Sequence, residues 1–218
     1  MPFKLLVFDW DGTLMDSEAR IVACLQAVIT DLALAVRDSR ALRDIIGLGL
    51  REAIITLYPD VDDDFVESFI ERYRYHFLSD NHQPALLFPG ARDVLDTLHD
   101  SGYMLGIATG KGRIGLQRSL RETGCDNLFH VTRCADESFS KPHPQMLLDI
   151  MAVLDVEPSQ TLMVGDTVYD MQMAQQAGTA ALAVTYGVHD KDRLLSFNPL
   201  ACLDDITQVP AWLAEGID

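Results

Sequence analysis

Basic side chains are scarce. The 218 residues carry 17 Lys and Arg against 33 Asp and Glu, a formal net charge of −16, so a nucleic-acid backbone is repelled by the overall field. A small anionic ligand can bind only where a local cation or a metal lies inside that envelope. Cysteine is limited to Cys24, Cys125, Cys134 and Cys202, with no C-x-x-C pair and no compact disulfide spacing, as expected of small buried hydrophobes in a reducing compartment. The six histidines show no H-x-x-x-H spacing, which disfavours zinc. No apolar window reaches membrane-spanning length. The first residues turn acidic after a short apolar run and offer no cleavage site. These absences predict a soluble, cytoplasmic protein that spans no membrane.

What is present is a core. A hydrophobic content of 48% over this length suffices for one domain plus a smaller one. Apolar runs at 3–8, 103–109, 128–135, 161–166 and 180–185 read as short strands buried on both faces, the pattern of a parallel sheet. Between them, 91–100, 112–123, 144–153 and 170–177 read as helices, with Gly178 at the place of a C-terminal cap. The expectation is an α/β fold with a doubly wound parallel sheet.

The first two strands are too far apart for an ordinary crossover. Residues 15–88 look helical: Ile21, Val22, Leu25, Val28, Ile29 and Leu32 recur at 3.6 spacing, and Phe65, Phe69, Tyr73 and Phe77 at every fourth position. The stretch "FPG" at 88–90 returns the chain to the sheet. This predicts a core of 1–14 and 89–218 with an all-helical cap subdomain at 15–88 inserted after the first strand, hinged near 15–18 and 86–90.

Ligands of such sheets gather at the carboxyl ends of the strands, where this chain places its chemistry. The first strand runs straight into Asp9 and Asp11, two like charges one residue apart whose repulsion needs a cation, a shared proton or open solvent. Thr109, Gly110 and Lys111 follow the second strand, Ser140-Lys141-Pro142 lies in a later connection, and Asp166 and Asp170 follow "MVG". Four acids converging on one edge suit a divalent cation with hard oxygen ligands, Mg²⁺ above all. An EF-hand is excluded, because its glycine is the sixth residue of the loop whereas Gly12 is the fourth counted from Asp9.

The motifs "DWDGT" (9–13), "ATGK" (108–111), "SKPHP" (140–144) and "GDTVYD" (165–170), in this order, resemble those of the haloacid dehalogenase superfamily in its phosphatase branch, near phosphoglycolate phosphatase. The resemblance implies a phosphomonoester hydrolase acting on a small phosphorylated metabolite through an aspartyl phosphate. Asp9 would be the nucleophile and Asp11 the acid and then the base. Thr109 and the Gly110 amide, with the Trp10 amide, would hold the phosphoryl group, and Lys141 would neutralise Asp9. Mg²⁺ would sit between Asp9, Asp166 and the Asp11 carbonyl, with Asp170 supporting it directly or through water. The insert resembles the helical cap of one large branch. Two residues depart from the pattern: Gly110 stands where relatives often carry Asn, and Trp10 where Leu is usual, its indole expected to pack.

Several residues keep two readings. Lys111 is either a solvated helix-start lysine or a substrate contact. Arg51, beside the glycine-punctuated "IIGLGLREA" at 45–53, either reaches the site from the cap or belongs to a simple helix connection; Arg20, Arg43 and Arg113 are weaker candidates. His143 either lines the site or is structural, and Thr167 is expected to cap a helix. Within the superfamily, Asp11 argues against dehalogenation, and the absence of lysine from 15–88 argues against phosphonate hydrolysis through a Schiff base. A phosphomutase of the β-phosphoglucomutase type keeps the same motifs, and a phospho-aspartate receiver domain lacks both the cap and the second acid. The oligomeric expectation is monomer or homodimer.

Overall fold

The structure, a computed structural model, describes residues 3–79 and 85–216. Of the expected segments, 1–2 and 217–218 of the core and 80–84 of the insert lie outside the described residues. The elements run β1 (Leu5–Phe8), β2 (Met15–Asp16), α1 (Glu18–Asp31), α2 (Ser39–Asp44), α3 (Leu50–Leu57), α4 (Asp63–Leu78), β3 (Leu86–Leu87), α5 (Ala91–Asp100), β4 (Met104–Thr109), α6 (Arg113–Thr123), β5 (Val131–Cys134), α7 (Gln145–Leu154), β6 (Thr161–Gly165), α8 (Val168–Ala177), β7 (Ala180–Val184), α9 (Lys191–Leu195), β8 (Cys202–Leu203) and α10 (Val209–Glu215).

Six strands form one parallel sheet in the order β5-β4-β1-β6-β7-β8. All four residues of β1 are buried, which explains their unbroken apolar run. Alternate side chains feed opposite faces. Leu6 and Phe8 pack with Val94 and Leu95 of α5 and Leu116 of α6; Leu5 and Val7 pack with Met146 and Ile150 of α7 and Met173 of α8. The chain winds from β1 through β4 to β5, then crosses back to β6 on the other side of β1. The strand order therefore reverses at β1, and the crevice beyond its carboxyl end is where ligands of such sheets bind. Gly178 ends α8 at φ 73°, the left-handed cap its position implies.

Helices α1 to α4 carry an apolar cluster of their own, in which Leu25, Val28, Leu42, Ile54 and Phe69 are at most 1% exposed. Asp38 and Asp62 start α2 and α4 by accepting from the amides of Ala41 and Phe65. The insert is not helical at its ends. β2 and β3 pair antiparallel, Met15 opposite Leu87 and Asp16 opposite Leu86, because the entering and leaving chains run side by side and satisfy each other's backbone. Beyond residue 185 the sequence gives no period to read: β8 is two residues long and α9 five. Among the described residues no helix is long and apolar enough to cross a membrane, and the four cysteines form no disulfide.

Phe69 is fully buried among Tyr58 and Phe65. Phe69→Ala should cost about 3–5 kcal/mol, measured by urea unfolding.

Candidate active site

Asp9 follows directly on β1 and is 1% exposed. Its Oδ1 accepts from the Trp10 amide at 2.6 Å and lies 2.8 Å from Lys141 Nζ; its Oδ2 is buried with no hydrogen-bond partner. Lys141, also fully buried, lies 2.6 Å from Asp170 Oδ1. The other oxygen of Asp170 accepts from the Thr167 amide at 3.1 Å and the Thr167 hydroxyl at 2.7 Å. This is the reciprocal cap that starts α8, so Thr167 caps its helix as expected and also fixes Asp170. Asp166, one residue past β6, accepts from the Thr13 hydroxyl and the Val188 amide, both at 2.8 Å. Carboxylate oxygens of Asp9, Asp166 and Asp170 lie within 4.8 Å of one another. Gly12 (φ 88°) makes this possible, since a Cβ there would come 2.3 Å from Asp166 Oδ2.

Three buried carboxylates against one ammonium leave a formal charge of −2. Burial, reinforced by Asp170 and Asp166, holds the Asp9 carboxyl well above the usual range despite Lys141. Burial and the Asp170 charge push Asp166 up to about 7. Burial alone would depress the Lys141 ammonium, but Asp170 and Asp9 more than offset it and raise it. The donor set, all hard oxygens with one buried atom unpartnered, fits a divalent cation of the Mg²⁺ type.

The second acid is engaged elsewhere. Asp11 accepts from the Ser17 hydroxyl at 2.6 Å, and Lys111 Nζ lies 2.8 and 2.9 Å from its two oxygens. The Lys111 side chain is only 7% exposed and stands 4.5 Å from the centre of the Phe77 ring of α4. It is therefore not a solvated lysine; it joins the second acid to the insert. Its amide donates to the Thr109 hydroxyl oxygen at 3.1 Å. Gly110 faces the backbone of the insert, where a Cβ would lie 2.3 Å from the Leu48 carbonyl oxygen and 2.6 Å from that of Gly47. Next to it the Gly49 amide donates to Ser140 Oγ at 2.7 Å. Asp44, at the end of α2, accepts from the Tyr169 hydroxyl through its carbonyl at 2.8 Å and pairs with Arg193. The turn at 45–49 is thus seated on the sheet edge.

The other candidates are placed as follows. Arg51 lines the cavity described below, but its guanidinium is held by Asp63 at 2.7 Å and by Glu67. Arg43 pairs with Glu18 and Arg113 with Glu137. Arg20 donates to the Phe77 carbonyl at 2.7 Å. His143 is exposed, and its Nδ1 accepts from the Gln145 amide at the start of α7. The Trp10 indole packs edge-on against Phe129 in the core. Sequence reasoning assigned no role to Thr13, although it lies inside "DWDGT", nor to Ser17. It read Tyr73 and Phe77 as part of a helical repeat; they pack with the insert cluster and also border the cavity. A fourfold period cannot separate those two environments.

Between insert and sheet edge lies a cavity of about 450 Å³, with Asp9, Asp11, Thr109 and Gly110 at one end. The family model described as haloacid dehalogenase-like hydrolase matches residues 6–184. "Probable phosphatase IndB" of Dickeya dadantii is 37% identical, covering 94% of this chain and 91% of that one. A phosphoglycolate phosphatase of Vibrio parahaemolyticus is 27% identical over 94% of both chains. A solved haloacid dehalogenase-like hydrolase of Streptococcus pneumoniae superposes with a TM-score of 0.84 at 25% identity, over 97% of this chain and 99% of that chain. The chain belongs to the haloacid dehalogenase-like hydrolase family. Within it, this is an enzyme of the phosphatase type.

Because the Asp9 and Asp166 carboxyls are raised, the folded metal-free protein holds protons that the unfolded chain releases near pH 4. Its stability should therefore fall as pH rises from about 4 through about 7. Mg²⁺ relieves a penalty present only when the acids are ionised, so its stabilising shift in Tm against EDTA should be larger near pH 8 than near pH 5.5. The contact at Gly110 gives a second expectation. Gly110→Asn overpacks the seat of the 45–49 turn by about 1–3 kcal/mol and should speed amide hydrogen exchange at Gly47–Gly49 by roughly tenfold or more.

Proposed function

We propose that the protein is a Mg²⁺-dependent phosphomonoesterase acting on a small phosphorylated metabolite, with Asp9 as nucleophile. The observation that carries this reading is the buried, unpartnered Asp9 Oδ2, because a carboxylate oxygen left without a hydrogen bond in the interior keeps its lone pairs available. The other oxygen is fixed by Lys141 and the Trp10 amide, so Oδ2 is the atom of Asp9 left to form a new bond.

In this reading Asp9 Oδ2 forms a bond to phosphorus as the ester oxygen leaves, and Asp11 gives that oxygen a proton. A water then attacks the aspartyl phosphate, Asp11 takes its proton, and inorganic phosphate leaves with Asp9 restored. The Thr109 hydroxyl accepts from the Lys111 amide and so keeps its own proton for a phosphoryl oxygen, beside the Gly110 amide; the Trp10 amide, expected from the resemblance to serve the phosphate, donates instead to Asp9 Oδ1. Lys141 spreads its charge over Asp9 and Asp170 and limits the repulsion an incoming phosphate meets. Lys111 is shared between Asp11 and the incoming anion, so phosphate that draws its ammonium away frees Asp11 to carry a proton. Mg²⁺, held by Asp9, Asp166, the Asp11 carbonyl and Asp170 directly or through water, would supply compensation for the negative charge of carboxylates and phosphate. Residues 15–88 act as a cap over the core of 1–14 and 89–218, excluding water and selecting substrate.

Asp9→Asn should release no phosphate from any monoester while unfolding at an unchanged or higher temperature, since it removes one of three crowded charges. Wild-type turnover by this variant, or by the wild type in excess EDTA, would refute the assignment. Asp11→Asn should lose about 10² to 10⁴ in kcat on an alkyl phosphate and much less in phosphoenzyme formation from p-nitrophenyl phosphate, whose leaving group needs little protonation; rapid quench separates the two.

A further inference from the structure

The cavity above Asp9 holds more than a phosphate. Its 450 Å³ falls in the range of pockets that enclose drug-sized ligands, well beyond what a two-carbon acid fills. On the insert side its wall is built by Ile21, Leu25, Ile46, Ile70, Tyr73 and Phe77.

Two of its three lining cations are committed to acids. Lys111 is closed on Asp11, and Arg51 on Asp63 and Glu67. Arg74, the third, is exposed and also borders a surface depression lined by Asp64, Glu67 and Glu71, which surround it with negative charge. Glu52, Glu67 and Asp136 add negative charge to the lining. A substrate carrying a carboxylate on its leaving group would have to break an ion pair, face these acids, or reach a solvent-exposed Arg74 that is itself ringed by acids. An apolar group meets aliphatic and aromatic surface at no such cost. Ile114, at the start of α6, also lines the cavity and is 68% exposed, an apolar residue left open to solvent on that wall.

On these grounds, and resting on the phosphatase reading, we propose that the physiological substrate is a phosphate monoester of a predominantly apolar alcohol, aliphatic or aromatic, and not a short acidic metabolite such as phosphoglycolate. The phosphate occupies the Asp9–Thr109–Gly110 end, and the carbon skeleton lies against the α1 and α4 wall.

A series of n-alkyl phosphates from ethyl to hexyl tests this in Mg²⁺ buffer, because the leaving alcohols are almost equal in acidity and only the apolar length changes. kcat/KM should rise roughly threefold to fourfold per added methylene, and hexyl phosphate should exceed phosphoglycolate. Ile114→Asp, a change at an exposed position, should flatten the slope. The matching alkylphosphonates, which are not hydrolysed, read the pocket without turnover, and their affinities by calorimetry should climb in parallel. Equal rates and affinities along the series, or phosphoglycolate as the best substrate, would overturn the apolar-alcohol inference and leave the phosphatase reading intact. Rising phosphonate affinity with no phosphate released from any ester would overturn the phosphatase reading instead.

Discussion

The site depends on one arrangement: a single buried ammonium, Lys141, lying between Asp9 and Asp170 at 2.8 and 2.6 Å, with Asp166 beside them. Burying a charge is tolerable only when it is paired and hydrogen-bonded, and every acid here has such support. Asp166 has Thr13 and Val188, Asp170 has the first turn of α8, and Asp9 has the Trp10 amide. The surroundings follow from that need. Gly12 stays small so that Asp166 can fit, and Thr167 begins a helix where Asp170 must be fixed.

The same economy of space governs the insert. Its turn at 45–49 can approach the sheet edge because Gly110 has no side chain, and Ser140 and Asp44 fasten it on either side. A site built this way combines apolar side chains from the insert with the charged cluster of the sheet edge. The acidic surface, −16 overall, places the burden of attracting an anion on a few internal donors and the cation they imply.

Much of the core was legible because a strand buried on both faces is written as an unbroken apolar run. β1, β4, β6 and β7 all fall within the runs read from sequence, and the acids at their carboxyl ends follow from the winding of the sheet. The motif residues Asp9, Thr109 and Asp166 were legible as residue types at strand ends, and Lys141 and Asp170 in the segments that follow. Partnerships were not. Nothing in "ATGK" says that Lys111 turns to an acid one hundred positions earlier, and nothing near Arg51 says that α4 will supply two carboxylates to hold it. Such pairings depend on how two separately folded layers are juxtaposed. The pairing of β2 with β3 was hidden for a related reason, since two residues carry no period.

That short ribbon has a mechanical meaning. Two adjacent, hydrogen-bonded connections allow rotation about essentially one line and resist both torsion and lateral drift, as a door differs from a tethered lid. The line passes close to the second acid: the Gly12 amide donates to the Met15 carbonyl, and Ser17, just past β2, holds Asp11. Phe77 meets Lys111 from the opposite end of the insert. Both ends of the insert therefore reach Asp11, Ser17 directly and Phe77 through Lys111. The seating of the helical layer and the contacts of the second acid are thus coupled.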